Sequence, residues 1–443
     1  MPHKTSRGKQ SNHRTISMNG LVVGSLTKTK QSGMVFQYND NWLSSSQARP
    51  LSLSMPLRRD PYSGSEVFNY FDNLLPDRKN IRDRVISRFK VESDHPFDIL
   101  SAIGSDCVGA IQVHSEQPSN VRYITGEPLN EHQIAELIRG YRVNPLGMDS
   151  EADFRISLAG AQEKTALLFY DDQWIKPTGT TATTHILKFP IGTIDTPSGS
   201  IDLSNSCENE WLCLEFMALA GISTAKSGLL HFEDQTVLSV TRFDRRLSDD
   251  GSWVLRLPQE DFCQALNLPS SMKYQEHGGP GMTECLELLQ ASNNALNDRE
   301  TFLKTQILFY LMGAIDGHAK NFSIFHQAGS RYEMTPIYDV LSIHTINNKQ
   351  LPHKARLAMS WKGQSKNNYF SYKQIQPRHL FYTCEHYGFE SLVEQFLTHI
   401  NSKLNDITKT LVGKANKQGI DERIAEQFIS EISKKMTLVQ SSF

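Results

Sequence analysis

Apolar residues along this chain recur with two different periods, and the change from one to the other outlines its architecture. Up to about residue 255, short alternating runs dominate: LVVGSL from Leu21, MVFQY from Met34, VGAIQV from Val108, HILKFP from His185 and TVLSVTRFDRR from Thr236. Such alternation predicts half-buried strands. In HILKFP it puts Ile186 and Lys188 on one face and Leu187 and Phe189 on the other. Helical spacing interrupts these runs at 78–89, where Ile81, Val85 and Ile86 share a face ringed by Arg82, Arg84 and Arg88. It returns at 131–140, stopped by Gly140, and in ENEWLCLEFMALAGI, where Trp211, Leu214, Met217 and Ala218 line one side and Gly221 ends the helix. VFNYFDNLLPD, closed by Pro76, reads as core.

Beyond LPQEDFCQALNLPSS the pattern turns mainly helical. Gly278, Gly279, Pro280 and Gly281 break the chain before a helix at 282–290. Asn297 and Glu300 suggest a cap for a helix running to Ile315, whose stripe of Leu303, Ile307, Tyr310, Leu311 and Ala314 is widened by Phe302, Leu308 and Phe309. FSIF and RYEM, joined through Gly329, predict a hairpin, and amphipathic helices follow through Leu392, Phe396 and Ile400 and then Ile424, Phe428 and Ile432. The expected organisation is a basic disordered tail at 1–18, an α/β subdomain at 19–145, a β-rich lobe at 146–255 and a helical lobe at 256–443. The tail carries Lys4, Arg7, Lys9 and Arg14 and no acid.

Composition narrows this picture without redrawing it. A chain of 443 residues, 39% hydrophobic and 21% charged, is too long for one core and has the make-up of a globular protein. The longest apolar runs fall short of the ~18 residues that span a bilayer, and the N-terminus lacks the apolar core of a secretory signal. Six scattered cysteines form no C-x-x-C pair and read as free thiols, so a cytoplasmic protein with no membrane association is expected. A net charge of −2 gives no whole-chain attraction to nucleic acid.

The chemistry concentrates in DGHAKNFSIFHQAGSRYEMTPIYD. Asp316, an amide five residues on at Asn321, and a second carboxylate at Asp339 follow the helix predicted to end at Ile315. Phosphoryl transfer from ATP needs a carboxylate to accept the proton of the attacking hydroxyl, and an Asn and an Asp to hold magnesium; D-x-x-x-x-N is the spacing of a protein-kinase catalytic loop. Two carboxylates about 4 Å apart would repel by roughly 4 kcal/mol at an effective dielectric near 20, so a cation or wider spacing is required. Within the loop, His318 and Lys320 are placed to touch phosphate, although His318 equally suits a structural role. RISLAGAQEKTALLF predicts strand, small-residue turn and strand, and a turn of Ala159, Gly160 and Ala161 lets backbone N–H groups approach phosphate. Lys188 on its strand can pair with phosphates, and Glu208 or, by preference, Glu210 can hold that lysine. The backbone at 241–243 (Thr241, Arg242, Phe243) is the candidate adenine hinge.

At these residues the sequence resembles the HipA family of bacterial serine/threonine kinases, the toxin half of HipBA toxin–antitoxin pairs. The likeness runs from about Met18 through ARPLSLSMPL, FNYFDNLLPD, FRISLAGAQEKTALL, THILKFP, RFDRR, RLPQEDFCQ, LPSSMKY, GGPG, GAIDGHAKNFS and TPIYD. It implies an α+β, two-lobed protein-kinase-like fold that uses ATP and Mg²⁺. By motif, Asp316 would be the base, Asn321 and Asp339 metal ligands, and Lys188 a phosphate contact. Ala159, Gly160, Ala161, Gln162, Glu163 and Lys164 would form the phosphate loop, Tyr338 would complete the ATP-binding set, and Ser157 would be autophosphorylated to switch the enzyme off. The resemblance also implies a HipB-type helix-turn-helix antitoxin as partner, operator DNA reached mainly through that antitoxin, and a protein substrate in the translation machinery, such as glutamyl-tRNA synthetase. The other readings are a catalytically idle corepressor scaffold on HipB and DNA, and a small-molecule kinase of similar fold.

Overall fold

In the computed structural model, which describes residues 11–116, 121–143, 162–196, 199–346, 351–365 and 367–442, three layers of the chain meet around one cavity. The first is a four-stranded antiparallel sheet in the order Met34–Tyr38, Leu21–Lys28, His13–Met18, Ile111–His114, with the helices Ser65–Asn73 and Pro96–Ile103 closing its core. His13–Met18 is an inner strand of this sheet, which corrects the expectation of a disordered tail over 1–18 for that segment. Ile16 and Met18 are buried in the core, and both strand neighbours of the segment are needed to make that burial visible.

The second layer is a six-stranded antiparallel sheet in the order Ser227–Phe232, Gln235–Thr241, His185–Lys188, Lys164–Tyr170, Gln173–Pro177, Gly126–Leu129. Its edge strand Gly126–Leu129 comes from the stretch that the sequence placed in the preceding subdomain. One face packs Leu187, Phe189, Leu167 and Val237 against Ile134, Ala135 and Ile138 of the helix Glu131–Val143. That helix runs through Gly140 rather than stopping there, because nothing crowds the position and helix continues on both sides. The opposite face turns Ile186, Lys188 and Val240 to the cavity, as period-2 alternation requires. The strand read as one run from Thr236 to Arg246 is two: it ends at Thr241, and Arg245–Leu247 pairs instead with Val254–Arg256.

The third layer is helical. Ala295–Met312 lies at its centre, with Phe302, Leu303 and every residue from Thr305 to Met312 buried, and packs with Ser206–Leu219, Met282–Gln290, Leu392–Lys417 and Glu422–Gln440 in one continuous core. The central helix starts two residues before Asn297 and ends three before Ile315. Gly313, in the left-handed region at φ 63°, caps it and reverses the chain toward Asp316. Ser323–Gln327 and Arg331–Met334 form the expected hairpin, with Gln259–Asp261 added on the other side. The hairpin Arg356–Lys362 with Asn368–Ser371 was not anticipated from sequence. All six cysteines are buried free thiols, and no helix among the described residues is long and apolar enough to cross a membrane.

A buried charge cluster locks the first layer to the second. Asp106 accepts from Arg242 Nη1 at 3.5 Å, Arg245 Nη2 at 3.1 Å and Arg256 Nε at 3.1 Å, while Asp244 pairs with Arg242 and Arg245 at 2.8 Å each. Burial and the neighbouring Arg242 push Arg245 down to about 10. Removing one partner of such a group leaves an uncompensated buried charge, which costs ~3–5 kcal/mol. Asp106→Ala is therefore expected to lower stability by that amount in guanidinium denaturation; an unchanged midpoint would show that the cluster does not hold the layers together.

Candidate active site

The cavity has a volume of about 520 Å³ and is lined from all three layers. Lys188 enters it from the sheet, opposite Lys164 on one neighbouring strand and Leu238 on the other. Two lysines facing each other across a ladder repel, and the structure answers with two carboxylates. Lys188 Nζ donates to Glu210 Oε1 and Oε2 at 2.7 and 2.9 Å and to Asp339 Oδ1 at 2.6 Å. Glu210 sits in the first part of the helix Ser206–Leu219 and is wholly buried, so its position is dictated by packing. Burial opposes the charge on Lys188, but Asp339 and Glu210 outweigh it and hold the ammonium above its ordinary range. Burial likewise opposes ionisation of Asp339, yet Lys188 and Lys164 hold its carboxyl well below the usual carboxylate range. Asp339 adopts φ 60°, a left-handed conformation that aspartate tolerates better than most residues and that is enriched at functional sites.

Asp316 is half-exposed at the cavity wall, and its Oδ1 accepts from the Tyr274 hydroxyl at 2.6 Å. Burial and the adjacent Asp316 charge push the Tyr274 phenol up, so this hydroxyl stays a donor. The Asn321 amide nitrogen donates to the main-chain oxygens of Asp316 at 2.8 Å and Asp339 at 3.5 Å, which ties the two aspartate-bearing segments and leaves Oδ1 as an acceptor. The repulsion anticipated between the aspartates is thus met by Lys188 on one and Tyr274 on the other. His318 is buried edge-on to Tyr274, with Nε2 4.0 Å from Asp316 Oδ2 and Nδ1 without a hydrogen-bond partner among the described residues; burial lowers its pKa.

Two sequence expectations change in detail. Lys320 lines the cavity, and its ammonium is already engaged by Asn73 Oδ1 at 2.9 Å and Asp77 Oδ1 at 3.0 Å. At the hinge the N–H groups of Thr241 and Arg242 already donate to Lys226 and Thr184 carbonyls at 2.8 Å each, so of the three residues only Phe243 has its N–H without such a bond among the described residues. The Arg242 guanidinium belongs to the buried Asp106 cluster, and the Phe243 ring lies 5.6 Å from the Tyr338 ring. Tyr338 is fixed by hydrogen bonds with Ser323 Oγ at 2.6 Å and the Lys320 carbonyl at 2.9 Å. Gln162 donates to the Phe189 carbonyl at 2.6 Å, Glu163 pairs with Arg84 at 2.5 Å, and both line the cavity with Lys164. Ser157, Ala159, Gly160 and Ala161 lie outside the described residues. The sequence reading missed Asp77, Arg84, Lys273 and Tyr274 as cavity-lining or cavity-supporting residues; their only signal was membership of the FNYFDNLLPD and LPSSMKY stretches or of the Arg-rich helix.

A β-rich lobe carrying a paired lysine, set over a helical lobe carrying Asp316, Asn321 and Asp339, defines a two-lobed protein of the protein-kinase-like class. Family models match twice, the HipA N-terminal domain over residues 15–114 and the HipA-like C-terminal domain over 156–437. The chain belongs to the HipA family. It is 33% identical over 329 residues to the putative kinase Y4mE of Sinorhizobium fredii, covering 73% of this chain and 75% of that one. It is 26% identical over 340 residues to the serine/threonine-protein kinase toxin HipA of Shewanella oneidensis, covering 74% of each. Its fold superimposes with a TM-score of 0.76 on a chain solved in the complex of HipA, HipB and operator DNA from Shewanella oneidensis MR-1, at 22% identity and over 97% of this chain and 98% of that one.

Lys164 offers a direct electrostatic test of the cavity. Burial and the facing Lys188 push it down to about 8. Below that pH Lys164 carries a charge that favours a polyphosphate; above it the charge is lost. Affinity for a nucleoside triphosphate is expected to fall as pH rises through about 8 and to lose that dependence in Lys164→Met, as read by equilibrium binding at a series of pH values. A pH-independent affinity in the unaltered protein would remove Lys164 from contact with the phosphates.

Proposed function

We propose that this chain is an ATP-dependent serine/threonine protein kinase, the toxin of a toxin–antitoxin pair. The observation that carries the reading is Lys188 held between Glu210 and Asp339, at 2.7 and 2.6 Å, in the cavity that Asp316 and Asn321 also line. A lysine kept charged and aimed by an acid on a neighbouring helix is what orients ATP phosphates in kinases. Asp316 takes the proton of a serine hydroxyl through Oδ2, since Oδ1 is held by Tyr274. The hydroxyl oxygen forms its bond to the γ-phosphorus as the bond to the bridging oxygen breaks, leaving phosphoserine and ADP. The protonated carboxyl then releases its proton to solvent.

The donors present suit magnesium, which prefers oxygen and is often held by one or two carboxylates plus substrate phosphates. Asp339 and the Asn321 Oδ1 are the residues that would hold it; among the described residues no three His, Cys, Asp or Glu side chains cluster as a purely protein-made metal site. When bound, the ion neutralises charge on the phosphates. Hinge contact with adenine falls to Phe243, and the phosphate loop to 159–164.

Family membership supports a HipB-type helix-turn-helix partner, with operator DNA bound through it, and a serine on a protein of the translation machinery as substrate. Self-phosphorylation at Ser157 would add about −1.5 to −2 charges beside a loop that receives phosphates and so turn the enzyme off. Incubation of the purified chain with γ-labelled ATP and Mg²⁺, alone and with glutamyl-tRNA synthetase, tests the whole reading by mass spectrometry. Label on Ser157 and on the synthetase is expected, with Asp316→Asn slower by ~10²–10⁴. No protein label, or an unchanged rate in Asp316→Asn, would overturn it, and a labelled small molecule instead would make this a metabolite kinase.

A further inference from the structure

The catalytic loop is not held by its own lobe alone. Asp77 closes the FNYFDNLLPD stretch of the N-terminal subdomain, and its carboxylate accepts from Lys273 Nζ at 2.8 Å through Oδ2 and from Lys320 Nζ at 3.0 Å through Oδ1. Each of these lysines stands next to a residue that fixes Asp316. Lys273 precedes Tyr274, whose hydroxyl donates to Asp316 Oδ1 at 2.6 Å. Lys320 precedes Asn321, whose amide donates to the Asp316 main-chain oxygen at 2.8 Å. One carboxylate therefore joins the two segments that grip Asp316 by side chain and by backbone.

The arrangement is more than an incidental surface pair. Lys320 is buried and would pack more cheaply as an apolar residue if it only filled space, because a buried ammonium must be matched by charge. It is matched by Asp77, by both oxygens of Asn73 at 2.9 and 3.2 Å, and by Asp261 at 3.9 Å. Burial opposes ionisation of Asp77, yet Lys320 and Lys273 pull it down to about 2, so it is charged at any working pH.

We propose that Asp77 is a positioning residue for phosphoryl transfer, acting through Lys273 and Lys320, and that the N-terminal subdomain is thereby part of the working kinase site. The proposal rests on the kinase reading above and adds to it a long-range requirement that the lobes alone do not supply.

The test compares full-length Asp77→Asn with the unaltered chain. At saturating ATP its phosphorylation rate is expected to fall about tenfold or more, since sub-ångström to ångström misplacement of a reacting group costs up to about 10²-fold. Its KM for ATP and its affinity for a non-hydrolysable ATP analogue are expected to change less than the rate, because the tether acts first on the placement of Asp316. Asp77→Glu should recover part of the rate, and Asp77→Asn combined with Lys320→Met should be no slower than the worse single variant, as coupled neighbours require. An unchanged rate, an equal loss of analogue affinity, or additive losses would overturn the proposal. Hydrogen exchange reads the same tether without turnover: Asp77→Asn should speed exchange by about tenfold in 272–277 and 316–322, and unchanged exchange in both segments would sink it. If the unaltered chain transfers no phosphate but exchange still responds, the kinase reading fails while the tether stands.

Discussion

A charge taken out of water must be matched where it lies, and in this molecule that constraint is concentrated on Lys188. It is buried on a strand, directly across from Lys164, and it stays ionised because Glu210 and Asp339 both reach it. Those two acids arrive from a helix and from a loop that pack in the large helical core, whereas the lysine belongs to the six-stranded sheet. Satisfying one ammonium thus requires the sheet, the helix Ser206–Leu219 and the segment at Asp339 to close on one another. The lobes are joined at a cluster of charges on the cavity wall, so the same contacts that let the fold close also shape the cavity.

The second joint, between the N-terminal sheet and the rest, repeats the logic with arginine. Asp106 and Asp244 sit among Arg242, Arg245 and Arg256, all buried, and Arg242 directly follows the last hinge-side strand residue Thr241. The guanidinium, whose planar fork of donors can serve two carboxylates at once, suits a place where Asp106 and Asp244 must both be paired. Because the Arg242 side chain is committed to this cluster, and its N–H to Thr184, the backbone at 241–242 is held from both sides.

What could be read from sequence divides along the same line. Local periodicity sufficed for the alternation of Ile186, Leu187, Lys188 and Phe189, for the buried helix that delivers Asp316, and for the hairpin between Asn321 and Asp339, since each depends on neighbours a few residues apart. The spacing from Asp316 to Asn321 was legible because a single hydrogen bond across that loop enforces it. Among the features that escaped, three show why. His13–Met18 has only Ile16 and Met18 as core-facing apolar side chains, too few for a pattern, and is made a strand by partners on both sides. Lys320 is turned to Asp77, 243 residues away in sequence, and Tyr274 reaches Asp316 across 42. No window of sequence contains both ends of such a contact.

These long-range contacts have a common direction. Asn73, Asp77 and Arg84 of the N-terminal subdomain meet, respectively, Lys320, both Lys273 and Lys320, and Glu163 just before the strand Lys164–Tyr170. A subdomain attached only for partner binding would need no ion pairs to the two loops that flank the reacting centre. With them, any force on the N-terminal sheet is passed to the segments on either side of Lys188 through charge pairs, which weaken steeply as their geometry opens. The cavity is consequently a three-part assembly, and its chemistry depends on the seating of a subdomain that contributes none of the three residues Asp316, Asn321 and Asp339.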